Sequence, residues 1–200
     1  MSTMSALVNA VRMGGAEQEV FRAAVAALAE GTCLPPLAFR LEGETQTTVL
    51  ARARPGHTSR AVAAGTLHTI TYADPQAGLV CRLELTEFRD VPALEWVAHF
   101  SHAGVVPSPR LSEVAALDLV WHCDGDAFLY RSPGAIETPR DFQFQCEPLQ
   151  TIRERRGSLR LAAGREGRSS VDWLPFANLQ SGGDGLIVAL GWTGQWVPAG

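Results

Sequence analysis

Cys81-Arg82-Leu83-Glu84-Leu85-Thr86 alternates apolar and polar residues at every step. Side chains on a strand point to opposite faces in turn, so this period of two predicts a β-strand with one covered face. The next segment repeats the signal, with Leu94, Trp96, Ala98 and Phe100 on one face. Leu117, Leu119 and Trp121 share one face of another segment. Leu186 to Leu190 is an almost unbroken apolar run and reads as a strand covered on both faces. Further strands are expected at 38–42, 46–53, 67–73, 127–131, 142–152, 158–163 and 173–179.

Turn signals separate these segments. They are Arg54-Pro55-Gly56, Asp74-Pro75, Val106-Pro107, Asp124-Gly125, Ser132-Pro133-Gly134 and Gly182-Gly183-Asp184. Many short strands without helices between them point to an antiparallel sandwich or barrel. A doubly wound α/β fold needs helical crossovers, and none is legible. The first thirty residues differ. Ala16 to Glu30 contains no Gly or Pro, and Val20, Ala24 and Leu28 recur at i, i+4 and i+8. That spacing predicts a helix packed on a sheet, stopped by Gly31. The chain thus divides into a helical appendage at 1–34 and a β-sandwich domain at 35–200.

Composition bounds the function. The chain has 200 residues, 46% of them hydrophobic and 19% charged. That suffices for a folded core without metals or disulfides. It falls short of the about 250 residues typical of a (β/α)₈ barrel. All 17 basic residues are arginine, and lysine is absent; this reads as a codon bias. A net charge of −4 gives no pull toward nucleic acid or anionic membranes. Arg153-Glu154-Arg155-Arg156 reads as a solvated turn. Ala6-Leu7-Val8 is too short for a signal-peptide core. No apolar run approaches the about 18 residues of a membrane span. A cytoplasmic protein is expected. Cys33, Cys81, Cys123 and Cys146 form no C-x-x-C pair and read as buried thiols.

Motifs of catalysis are missing. Gly-x-Ser-x-Gly and Gly-x-Gly-x-x-Gly are absent, and a phosphate loop is impossible without lysine. His99 and His102 would share a face on a helix, but on a strand they diverge, so no metal role is expected. Asp124 and Asp126 straddle a glycine, yet the remaining ligands of a calcium loop are missing. No cofactor is expected, and no pair of carboxylates is singled out for glycoside hydrolysis.

The tryptophans carry more information. Trp173, Trp192 and Trp196 cluster near the C-terminus. In an extended chain the rings of Trp192 and Trp196 project from one face. Such a face, flanked by Gln and Asn, suits a sugar platform or a packing anchor.

Trp173-Leu174-Pro175-Phe176-Ala177-Asn178-Leu179, followed by a Gly-rich turn and Gly185-Leu186-Ile187-Val188-Ala189-Leu190-Gly191-Trp192-Thr193-Gly194-Gln195-Trp196, resembles the N-terminal β-domain of melibiase-type glycosidases. These are the α-galactosidases of glycoside hydrolase family 36 and their relatives. Tyr72 to Leu79, Leu94 to Phe100, Ser108 to Asp118 and Gly167 to Ser170 fit in the same order. The resemblance spans residues 36–196. It departs at Ser101-His102-Ala103-Gly104, where relatives carry Asn-Thr-Gly, and at Gly134-Ala135, where they often carry Gly-Ser.

The resemblance implies a galactose-mutarotase-like antiparallel supersandwich. It implies that two catalytic aspartates sit on a (β/α)₈ barrel following this domain, so this chain alone is inactive. It implies a longer domain than the 200 residues here, and unpaired edge strands favour a homo-oligomer. Asp141, Phe142, Trp173, Trp192 and Trp196 are the candidate substrate-side residues for a galactoside-type carbohydrate. The expected function is the non-catalytic β-domain that braces the barrel, closes one side of the sugar site and supports oligomerisation. A stand-alone carbohydrate-binding module or a purely structural domain are the other readings.

Overall fold

A computed structural model describes residues 17–120, 125–135, 137–156, 161–162 and 168–191. The chain forms two compact units, Met1–Trp121 and His122–Gly200. Both are mainly β and built on antiparallel sheets.

The first unit is organised by the alternating stretch. It forms β5 (Leu79–Phe88), flanked by β4 (Gly65–Ala73) and β6 (Leu94–His102), with β3 (Pro55–Val62) outside β4. Register aligns Ile70, Leu83 and Ala98 in one row and Tyr72, Cys81 and Phe100 in the next. This face is apolar because every second residue of β5 is apolar, and it is the buried one: Leu83 and Cys81 are fully covered. Arg82 and Glu84 point the other way, where they form an ion pair at 3.5 Å.

Three other elements of the unit join this core. Helix α1 (Glu17–Glu30) contributes Val25 and Leu28. It ends at Gly31, whose φ of 71° lets Thr32 N donate to Ala27 O at 2.9 Å. Strand β1 (Ala38–Leu41) contributes Phe39 and Leu41, and pairs with β2 (Glu44–Thr45) and β7 (Leu111–Ala115). Phe39 meets Phe100 edge to face at 5.3 Å between centroids. Helix α2 (Gln46–Ala51) contributes Val49 and Leu50. Leu83→Ala is expected to cost about 2–5 kcal/mol by opening a cavity at the centre of this cluster. Urea denaturation measures it, and a loss below about 1 kcal/mol would place Leu83 outside the core.

Polar groups fasten the edges. Asp74 is buried at the turn into β5, where its Oδ1 accepts from Gln76 N at 3.0 Å. Its Oδ2 accepts from Arg52 Nη2 at 2.9 Å, and Arg52 also holds Glu44. His68 lies beside Glu87 and His57. Burial chiefly, and then His57, push its pKa down, while Glu87 opposes them.

In the second unit, β8 (Ala127–Arg131) lies between β9 (Gln145–Pro148) and β10 (Phe176–Ser181), with β11 (Asp184–Ala189) beyond β10. Ser181 and Asp184 close a two-residue turn at Gly182 and Gly183, where Gly182 has φ 59°. Helix α3 (Leu149–Arg156) follows β9 and buries Ile152.

Several expectations need correction. Of residues 46–53, read as a strand, Gln46–Ala51 form α2 instead. Val49 and Leu50 are adjacent and both buried, which a helix permits and an alternating strand does not. The strand expected around Leu117 to Trp121 lies instead at Leu111–Ala115; 117–120 carry no strand and Trp121 falls outside the described residues. The segment 142–152 divides into a short β9 and α3. Of 158–163, only 161–162 are described, and they are not in a strand. Pro55 and Gly56, read as a turn, begin β3. That strand escaped notice because residues 56–61 are exposed and largely polar, as on a sheet edge. Pro55 is tolerated there as the first residue of the strand. The run from Leu186 to Leu190 is not covered on both faces: β11 is an edge strand and Ile187 is 73% exposed. Cys33 and Cys81 are buried as expected, but Cys146, on edge strand β9, is exposed; Cys123 is outside the described residues. Among the described residues, no helix is long and apolar enough to cross a membrane.

Candidate functional site

Ser132-Pro133-Gly134 leaves the end of β8 and passes between two segments of the second unit. On one side it meets the chain entering β10. Leu174 N donates to Ser132 O at 3.0 Å, Gly134 N to Asp172 O at 3.1 Å and Ala135 N to Ser170 O at 2.9 Å. Pro133 and Trp173 face each other in an isolated antiparallel bridge. On the other side, Phe142 N donates to Pro133 O at 3.3 Å. Two of the candidate residues, Phe142 and Trp173, are therefore tied to the same proline. Sequence separation hid this, since each belongs to a different segment.

Gly134 makes the close approach possible. A Cβ there would lie 1.7 Å from the Ser170 carbonyl oxygen. No side chain fits, so glycine is required by contact and not by its backbone angle.

Trp173 is half-buried. The Arg131 guanidinium carbon sits 4.3 Å from its ring centroid, within range of a cation–π contact. Arg131 Nη2 also donates to Glu147 Oε2 at 2.9 Å, across the β8–β9 pair. The Arg131 side chain is only 8% exposed, so the cation is held between a carboxylate and an aromatic face with little solvent. Sequence reading missed Arg131 and Glu147. The available signal was an arginine two residues after Leu129 on the inward face of a strand, opposite an acid-bearing strand.

Asp141 has a local role. Its Oδ2 accepts from Glu137 N at 2.9 Å, and its Oδ1 from Thr138 N and Thr138 Oγ1, both at 3.1 Å. The carboxylate thus closes the loop 137–141. The loop carries strain: Glu137 has φ 61° and Phe142 φ 59°, a region that bulky residues rarely enter. Phe142 is 58% exposed and Phe144 73%. The loop therefore presents aromatic surface in a conformation fixed by Asp141. Trp192 and Trp196 lie outside the described residues.

The arrangement can offer an aromatic surface and a buried, paired cation. His99 and His102 sit on β6 three positions apart and so face opposite ways. No three His, Cys, Asp or Glu side chains among the described residues form a group able to hold a metal ion. No family model matches this chain, and no curated protein or solved structure matches it either.

Proposed function

We propose that this chain is the non-catalytic N-terminal β-domain of an α-galactosidase-like glycosidase, with a galactose-mutarotase-like supersandwich architecture. In this reading it braces a catalytic barrel in the cytoplasm, borders the sugar site and contributes to a homo-oligomer. The observation that carries it is the joining of Trp173 and the Asp141-Phe142 loop at Pro133. Both segments were assigned to the sugar side from the resemblance, and they converge on one proline. The order of the quoted segments along the chain supports the same reading. Among the described residues β3 and β11 form sheet edges, which gives oligomerisation a physical route.

The chemistry would lie on the barrel's two aspartates, and this domain would shape and shield the sugar. The purified 200-residue chain is therefore expected to cleave no 4-nitrophenyl α-galactoside. Supplying it in trans to a matching barrel should restore turnover, and Gly134→Ala should weaken that restoration. Turnover by the chain alone, abolished by one carboxylate substitution, would overturn the reading. Saturable galactose binding by the chain alone, without any effect on a barrel, would replace it with a carbohydrate-binding module.

A further inference from the structure

The first unit carries a histidine pair that this reading does not use. In the β3–β4 register Ser59 opposes His68 and His57 opposes Ile70. His57 and His68 are therefore diagonal neighbours on one face of the sheet. His57 Nε2 lies 3.1 Å from His68 Nδ1, with ring planes 12° apart. At this distance one ring donates to the other. On the far side of its ring, His68 Nε2 lies 3.5 Å from Glu87 Oε2. Glu87 is itself held from α1 by Arg22, with Nε 3.2 Å from Oε1.

A negative charge beside Nε2 favours the proton there and leaves the Nδ1 lone pair of His68 directed at His57. His57 is exposed, so its ring can adopt either tautomer. With its proton on Nδ1, two bare nitrogens face one another.

We propose that His57 Nε2 and His68 Nδ1 form a two-histidine binding site for a zinc-type divalent ion, with Glu87 orienting His68 and water completing the coordination. Imidazole nitrogens suit zinc, copper and nickel and do not suit magnesium or calcium. Two Zn–N bonds of about 2.0–2.1 Å at a tetrahedral angle span roughly 3.3 Å, so the pair must open by a few tenths of an ångström and each ring must tilt by about 35° for its lone pair to meet the ion off the N···N line. A carboxylate on the remote nitrogen of a ligating histidine is the usual support for such sites. The contrast with His99 and His102 is instructive: those are closer in sequence, but strand geometry separates them.

The test is calorimetric titration of the full chain with zinc chloride, in a Cys123→Ser, Cys146→Ser background that removes the exposed Cys146 thiol and Cys123, which lies outside the described residues. One ion per chain is expected. His57→Ala alters an exposed side chain, leaves the fold intact and should abolish saturable binding. Glu87→Gln should weaken binding about tenfold. Proton NMR should show the ring signals of His57 and His68 shifting together at one equivalent. Absence of saturable heat up to millimolar zinc would overturn the proposal. Binding that persists unchanged in His57→Ala would also overturn it, because the ion would then sit elsewhere.

Discussion

Gly134→Ala is expected to remove about 3–5 kcal/mol from the stability of the His122–Gly200 unit. The added Cβ would sit 1.7 Å from Ser170 O and 2.5 Å from Ser170 C. Both are backbone atoms, so no rotamer change relieves the clash and one strand of chain must move. Moving it breaks Gly134 N to Asp172 O and Ala135 N to Ser170 O, and separates Pro133 from Trp173. Each lost hydrogen bond costs about 0.5–1.5 kcal/mol, in addition to the steric cost. The substitution should therefore also alter the environment of Trp173. Chemical denaturation followed by tryptophan fluorescence measures both effects. A variant within about 0.5 kcal/mol of the parent, with unchanged emission, would show that the two segments do not meet as described. Gly125→Ala provides a control, since a Cβ there meets nothing within 4 Å; its cost should be limited to the strain of φ 83°.

The second large effect is a loss of stability at alkaline pH. Burial pushes the Cys33 and Cys81 thiols from 9.0 up to about 11. Tyr72 is raised further above its ordinary value of 10.0, by burial first and then by the two neighbouring cysteines. All three are acids whose folded-state pKa exceeds the unfolded one. Below pH 9 both states keep their protons, and the full stability is present. Between pH 9 and 11 the unfolded chain releases protons that the folded chain retains, so stability falls as pH rises. At 1.36 kcal/mol for each tenfold change in proton affinity, each thiol withdraws about 2–3 kcal/mol by pH 11. With total stability typically about 5–15 kcal/mol, the first unit should approach unfolding there. Urea midpoints between pH 7.5 and 11 trace the decline. The Cys33→Ala, Cys81→Ala double variant should show a markedly shallower slope. An identical slope in both proteins would remove the thiols as the cause.

The strands β4, β5 and β6 were legible because only one face is covered. Alternation along Leu79–Phe88 records that environment residue by residue. The helix at Glu17–Glu30, the stop at Gly31 and the turns at Asp74 and Gly182 were legible for the same reason: each depends on a few adjacent residues. Strand β3 was not, because an edge strand needs no apolar face and its polar run looks like a loop. Helix α2 was misread because six residues are too few to establish a helical period. The candidate site was partly legible. Trp173 and Phe142 stood out as aromatic residues, but their common attachment to Pro133 did not. Arg131 stands at an inward position two residues after Leu129, but a charged residue looks exposed until its partners are known, and Glu147 and Trp173 come from other segments.

Local chemistry therefore determined where the chain runs straight, where it coils and where it turns, through backbone preference and the period of burial. It could not determine which distant segments meet. The Pro133–Trp173 bridge, the Arg131 cation between Glu147 and an indole, and the His57–His68 contact each join residues from separate segments. Such contacts are set by sheet register and by the close approach that Gly134 allows. Register shifts of one residue reverse every side chain on a strand. Neither the Trp173 site nor the histidine pair could thus be read from spacing, and both exist only once the strands have been aligned.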